Sequence, residues 1–243
     1  MPIRYYNKLT IRGPNEEINR FKNGVQIVDN RHCLLQSYLP CPQKLLDTRL
    51  SFDDIGYEVF FNPDPKGYLS MLELPGMKGH GIETREQLME YTKRVYSDSY
   101  EKGLKINDNL FEFGCRTWRE WCVVYWGTKC EVFGTQLKET SPTELIFEFH
   151  SAWSPPEIGI DQIAALFPEL DFYLEFRDLM VYFLGFDHWV NGELIEHHFE
   201  NPTDEDLEDG PDNPENMTVE STEGGISAFD KVEPETSEVI KNL

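Results

Sequence analysis

From Glu144 to Trp153 the chain alternates strictly: Leu145, Phe147, Phe149, Ser151 and Trp153 share one side, and Ile146, Glu148, His150 and Ala152 the other. A period of two is the signature of a strand with one buried face. Ser154-Pro155-Pro156-Glu157 follows at once. It reads as a helix start, with Ser154 as cap, Pro155 in the first turn with its φ already helical, and Glu157 closing a capping box. Ile160, Ile163, Ala164 and Phe167 then recur at helical spacing until Pro168 ends the helix. A strand leading straight into an amphipathic helix points to a sheet covered by helices on one face.

The remaining segments extend this pattern. Asn7–Arg12 alternates around Leu9 and Ile11 and predicts a first strand, broken by Gly13-Pro14. Asn15 reads as the cap of a helix with Glu16 and Glu17 in its first turn, where carboxylates suit the helix dipole, and with Ile18 and Phe21 facing inward. Residues 30–83 are rich in Pro and Gly and predict an irregular stretch with one short helix at Leu45-Leu46. The run Gly76–Gly81 lacks the Gly-Lys-Ser/Thr of a phosphate-binding loop and reads as a flexible loop. Thr84-x-x-Gln87 is a capping box, opening a helix expected to run to Lys102 and to stop at Gly103. Trp118, Trp121, Tyr125 and Trp126 form an aromatic cluster read chiefly as core, with a helix or turn around 116–122. A strand is expected from Cys130 to Leu137 and another over Asp171–Arg177, and Asn191-Gly192 is a type I′ hairpin signal leading into Glu193–Phe199. The order strand–helix–insertion–strand–strand–helix–strand predicts an α+β, ferredoxin-like (split βαβ) antiparallel sheet with helices on one face. It carries an irregular helical insertion after the first helix and an extra C-terminal β-hairpin. The expected domain is 1–199, with the insertion at about 30–115.

Beyond Phe199 the composition changes. Residues 200–243 hold 14 Asp and Glu against 2 Lys and Arg, whereas residues 1–199 hold 30 against 20. The expectation for 200–243 is an acidic, disordered tail. A formal charge of −22 repels nucleic-acid phosphates over both parts, so nonspecific nucleic-acid binding is not expected. An acidic chain can instead dock on a basic partner. No apolar run reaches membrane-spanning length and the N-terminus lacks a signal-peptide core, so a cytoplasmic protein with no membrane partner is expected. The five cysteines (Cys33, Cys41, Cys115, Cys122, Cys130) are odd in number and lack CxxC spacing. They read as reduced thiols, and His32, Cys33 and Cys41 lack a fourth zinc ligand at usual spacing.

Catalytic signatures are missing: the sequence has no nucleophile elbow, HExxH or Rossmann fingerprint, so no catalytic residue, cofactor or metal site is assigned. His188, His197 and His198 lie with Glu193 and Glu196 on one hairpin, but His197 and His198 alternate to opposite strand faces and cannot easily bind one metal. Lys129, after a Gly-Thr turn, lies over Trp126, pairs with a carboxylate, or meets a phosphate or acidic partner. His150 shares a strand face with Glu148, a pairing that fits acid–base work or a half-exposed strand equally well. The residues set apart for partner binding are Trp126, Lys129, His150 and Trp153 on the domain, with Asp204, Glu205, Asp206, Glu208 and Asp209 in the tail.

Asn7-Lys8-Leu9, Leu39-Pro40-Cys41-Pro42, Trp126-Gly127-Thr128-Lys129, Ala152-Trp153-Ser154-Pro155-Pro156 and Leu166-Phe167-Pro168, in that order, resemble the YubB-type proteins of phages and enterobacterial plasmids. The likeness covers about residues 5–187 and is densest from 118 to 187. Cys130 stands where an aromatic would be expected, and the acidic tail is outside the pattern. The resemblance implies a ferredoxin-like domain, a mobile-element origin and residence in the cytoplasm of a bacterial host. It transfers no catalytic residue, and no Cys₄ spacing exists for an iron–sulfur cluster. The expected function is non-enzymatic: an accessory protein that binds a host macromolecule with a basic surface. One version is an acidic DNA mimic acting against a host defence system. The alternatives are a single-stranded nucleic-acid module using sheet aromatics and a small metal-dependent nuclease or hydrolase. The oligomeric state is open, a sheet edge offering pairing across a dimer.

Overall fold

The computed structural model describes residues 3–48, 55–178 and 183–200. In chain order these are β1 (Arg4–Arg12), α1 (Asn15–Gly24), β2 (Gln26–Val28), β3 (Arg31–Cys33), α2 (Leu34–Tyr38), α3 (Gln43–Leu46), a π-helical turn (Tyr57–Phe61), α4 (Lys66–Leu72), α5 (Pro75–Gly79), α6 (Arg85–Val95), α7 (Ser99–Phe113), α8 (Trp118–Trp126), β4 (Phe133–Ser141), β5 (Glu144–Ala152), α9 (Glu157–Leu166), β6 (Asp171–Asp178), β7 (Leu184–Val190) and β8 (Glu193–Glu200). The described residues divide into two compact units, those within 1–40 and 122–200, and those within 41–121.

The first unit holds a six-stranded sheet in the order β4-β5-β1-β6-β7-β8, every neighbouring pair antiparallel. Its first four strands with α1 and α9 are the split βαβ arrangement: β5 and β6 flank β1, and β4 lies outside β5. The hairpin β7-β8 extends the sheet at the β6 edge. This is the ferredoxin-like α+β fold predicted above. The register explains why one face is apolar. Leu9 lies between Phe147 and Leu174, and Ile11 between Leu145 and Phe172, so alternate residues of three strands make a single apolar surface.

Ile18 and Phe21 of α1, and Ile160, Ile163 and Ala164 of α9, are buried. Phe21 sits at the centre of an aromatic knot, with ring centroids 5.1 Å from Phe167, 5.7 Å from Phe172 and 4.9 Å from Tyr38. Burial pushes the Tyr38 hydroxyl well above its ordinary range, and it donates to the Phe21 carbonyl. Helix α2 is capped from far along the chain: the Glu131 carboxylate accepts from Leu35 N–H at 2.9 Å and Gln36 N–H at 2.6 Å. Burial raises this carboxyl to about 7, against those donors.

Several local expectations change. Helix α1 begins at Asn15 itself, Pro14 being the preceding residue. Ser154 does not cap α9, whose first residue is Glu157 after Pro156; its hydroxyl donates to the Gly127 carbonyl instead. Strand β4 starts at Phe133, three residues later than read. The Asn191-Gly192 turn is present, with φ of 55° and 77°. At Gly192 an added Cβ would also meet Ala165 Cα at 3.1 Å, so the turn sits hard against α9.

In the second unit, Val59, Ile82 and Leu88 form a small core with Ile55, Phe60, Tyr68 and Met71 around it. Thr84 and Gln87 make the predicted capping box. The helix ends at Val95, however, and a second one, α7, runs through Gly103 to Phe113. Residues 75–79, read as loop, form the short helix α5 with Pro75 at its start.

Candidate functional site

With α1 and α9 covering one face, alternation sends the other residues of the central strands to the opposite, open face. Register places Tyr6 beside His150 and Arg177, Lys8 beside Glu148 and Glu175, Tyr173 beside His188, and Phe186 beside His198. Most of these side chains are half-buried, and their rings touch. Phe186 stacks on Tyr173 at 5.2 Å and on His198 at 5.4 Å, and His188 meets the Tyr173 edge at 5.5 Å. Toward the other edge, His150 stacks on Phe133 at 5.8 Å and meets Tyr6 edge-on at 6.0 Å.

Guanidinium groups cover two of these rings: Arg177 Cζ lies 5.3 Å from the Tyr6 ring centre, and Arg4 Cζ lies 5.7 Å from that of Phe133. Lys8 pairs with Glu175 at 2.8 Å and Lys138 with Glu148 at 2.6 Å. The face is therefore rich in aromatic rings and carries charges of both signs, on a protein of charge −22. A groove of ≈ 470 Å³ crosses it, lined among others by Tyr6, Lys8, Tyr173, Arg177, Phe186 and His198. Burial, with Glu175 and Glu196 nearby, raises the Tyr173 hydroxyl, which stays protonated and able to donate.

The residues selected from sequence fall in three places. His150 is on the open face. Trp126 is not available there or elsewhere on the surface: it is 0% exposed and its Nε1 donates to the Leu39 carbonyl at 3.0 Å. Its assignment to partner binding is thereby corrected. The large apolar ring is worth more in the core, and its one polar atom finds a partner there. Trp153 departs from the strand alternation. Strand β5 ends at Ala152, and Trp153 takes φ 78°, is 52% exposed and places its N–H on the Ile3 carbonyl at 2.9 Å. Lys129 Nζ lies 4.6 Å from that indole, not from Trp126. Asp204, Glu205, Asp206, Glu208 and Asp209 lie outside the described residues.

The two most distinctive sequence segments prove to be one packed unit. Thr128, fully buried, donates from Oγ1 to the Ala152 carbonyl at 2.8 Å and accepts the Ala152 N–H at 3.3 Å; Lys129 N–H donates to the same carbonyl at 3.2 Å. Trp126-Gly127-Thr128-Lys129 thus clamps the end of β5.

A second cluster, missed from sequence, lies on the helix side of the sheet. Asp187, 2% exposed, points from β7 toward α9, where its Oδ1 is 2.5 Å from Nδ1 of His197 on β8. Glu157, in the first turn of α9, is 3.9 Å from the same nitrogen. Burial raises the Glu157 carboxyl to about 7, helped by the Asp187 charge and a hydrogen bond shared with it; the Asp187 bond likewise raises His197. His197 and His198 do face opposite ways, as alternation requires, His198 pairing with Glu200 at 3.0 Å. What the sequence could not reveal is that β7 and α9 bring two carboxylates to His197 from 10 and 40 residues away.

This pair sets a pH dependence. Glu157 binds its proton up to about 7 in the fold but only to the ordinary 4.5 when unfolded, so the group's stabilising contribution falls as pH rises through that window. The carboxyl is about one-third exposed, which discounts the effect to about 1–2 kcal/mol. With chelator present, Glu157→Gln is expected to be about 1–2 kcal/mol more stable than wild type at pH 8 and equal to it at pH 4.5 in urea unfolding. A difference unchanged across the two pH values would contradict the assignment.

The fold and the strand order define a ferredoxin-like domain. Residues 132–219 match the family model described as "Ferredoxin-like domain in Api92-like protein". The chain is also similar to the crystal structure of a protein api92 from Yersinia pseudotuberculosis, at 12% identity and a TM-score of 0.42, over 84% of this chain and 99% of that one. At that level the likeness carries no functional inference. No curated protein matches the chain. Among the described residues, no helix is long and apolar enough to cross a membrane.

Proposed function

We propose that the protein is a non-enzymatic binding protein that engages a basic host protein through the open face of its sheet. The observation that carries this reading is the run of touching, half-buried rings, Phe133, His150, Tyr6 and then Tyr173, Phe186, His198, presented on the face of the sheet opposite α1 and α9. Protein-binding surfaces are enriched in such aromatics and in arginine. The excess negative charge around it would steer a basic partner and raise its association rate. The resemblance to YubB-type proteins supports a mobile-element origin and a bacterial cytoplasmic partner. In the DNA-mimic version, the carboxylates of 200–243 stand in for phosphates on that partner.

Arg4 and Arg177 over Phe133 and Tyr6 favour one further reading, a stacking platform for single-stranded nucleic acid, as on other open antiparallel sheets. The overall charge opposes it.

The test is capture of partners from host lysate by tagged wild type and by the Tyr173→Ala/Phe186→Ala variant. Both rings are peripheral to the core, so the variant is expected to keep its fold by circular dichroism. Its retention of the partner is expected to fall about 30-fold, the loss of about 2 kcal/mol at a binding hot spot. Equal retention by both proteins would remove the sheet face from the interface. Binding of a labelled single-stranded oligonucleotide at low salt, lost in the variant, would favour the stacking platform instead.

A further inference from the structure

We propose that Glu157, Asp187 and His197 form a binding site for a divalent zinc-class cation, held by Nδ1 of His197 and one oxygen from each carboxylate. Three separate elements, the first turn of α9, β7 and β8, converge here, and the three donor atoms lie within 4.8 Å of one another. Among the described residues this is the grouping of His, Cys, Asp or Glu with that spacing.

The geometry argues for a cation beyond proximity. Asp187 projects from the buried face of β7, at a level of the sheet where its neighbours across the strands are Leu174 and His197. A carboxylate there is shielded from water, and the Glu157 carboxyl beside it shares a hydrogen bond with it. The imidazole faces both through Nδ1. A divalent ion would neutralise both carboxylates at once and take the imidazole as a neutral ligand through the nitrogen that already faces them. The backbone holds the donors firmly. His197 is the register partner of Asp187, Trp189 Nε1 ties β7 to Asp161 of α9 at 2.9 Å, and the Asn191-Gly192 turn abuts Ala165. His197 is 53% exposed on its side chain, which gives an ion a way in from solvent and leaves room for water in a fourth position. One imidazole and two carboxylates suit zinc and its first-row neighbours; magnesium and calcium prefer shells of oxygen alone.

This inference is independent of the open-face binding proposed above, since His197 and Glu157 lie on the other side of the sheet. The test is calorimetric titration of the full-length, chelator-stripped protein with Zn²⁺, run on wild type, His197→Ala, His198→Ala and Glu157→Gln. Wild type and His198→Ala are expected to bind one ion per chain with equal affinity. His197→Ala is expected to lose at least 100-fold in affinity, and Glu157→Gln at least 10-fold. Both positions are solvent-exposed enough that the variants are expected to keep the wild-type circular dichroism spectrum. The absence of a one-to-one site in wild type would overturn the proposal. So would affinity unchanged in His197→Ala, which would assign the ion to acidic residues elsewhere, or equal losses in His197→Ala and His198→Ala, which would assign it to the outer face of the hairpin.

Discussion

Replacing Trp126 by Ala is expected to cost the first unit about 4–5 kcal/mol, a large share of the 5–15 kcal/mol that typically separates folded from unfolded domains. The indole is completely buried at the end of α8, and truncation leaves a cavity that rigid neighbours cannot fill. Gly159 of α9 lies directly against the backbone that carries the ring: a Cβ there would sit 3.2 Å from the Trp126 carbonyl oxygen and 3.0 Å from Leu35 Cδ2. The substitution also removes the donor to the part-buried Leu39 carbonyl, a loss of about 1 kcal/mol. Trp126→Phe keeps most of the volume and is expected to cost roughly half as much. Urea unfolding followed by far-UV circular dichroism would measure both; a loss below about 1 kcal/mol for the alanine variant would show that the ring is not the core element described.

The second large effect is a sign reversal at Gly103. Taken alone, Gly→Ala in the middle of a helix stabilises by about 1 kcal/mol. In α7 the opposite is expected, a loss of about 3 kcal/mol. A Cβ on Gly103 would come within 2.4 Å of the Gly56 carbonyl carbon and 2.6 Å of its oxygen, and one on Gly56 would meet the Ser99 carbonyl oxygen at 1.8 Å. The opposing atoms are backbone, so no rotamer change can relieve the overlap, and the two segments must separate. Hydrogen exchange would detect this as faster exchange over Tyr57–Phe61 and Ser99–Phe113, with the sheet amides unaffected. Protection equal to wild type in α7 would mean that propensity, not packing, governs the position.

Gly103 also shows why part of the fold could be read from the sequence and part could not. As a letter after a helical stripe, it looked like a terminator. The actual stop of α7 is Gly114, in the left-handed conformation at φ 69°, and Gly103 is there because another backbone passes too close for any side chain. Trp153 is the same lesson in a strand. Alternation carried it onto the buried face, yet the clamp from Thr128 and Lys129 ends β5 one residue earlier and turns the ring outward.

The sequence by itself determined what is set by neighbours within one turn or one hairpin: the alternating strands, the Thr84–Gln87 capping box, the Asn191-Gly192 turn, and from their order the ferredoxin-like arrangement. These signals are local because φ/ψ preference, capping and side-chain period act over a few residues. The tertiary structure alone decided which rings line an open face, that Trp153 turns outward, and that His197 meets Glu157 and Asp187. Those outcomes depend on strand register and on the seat of α9 against β7 and β8. Both are set by packing between segments far apart in the chain, which no local pattern encodes.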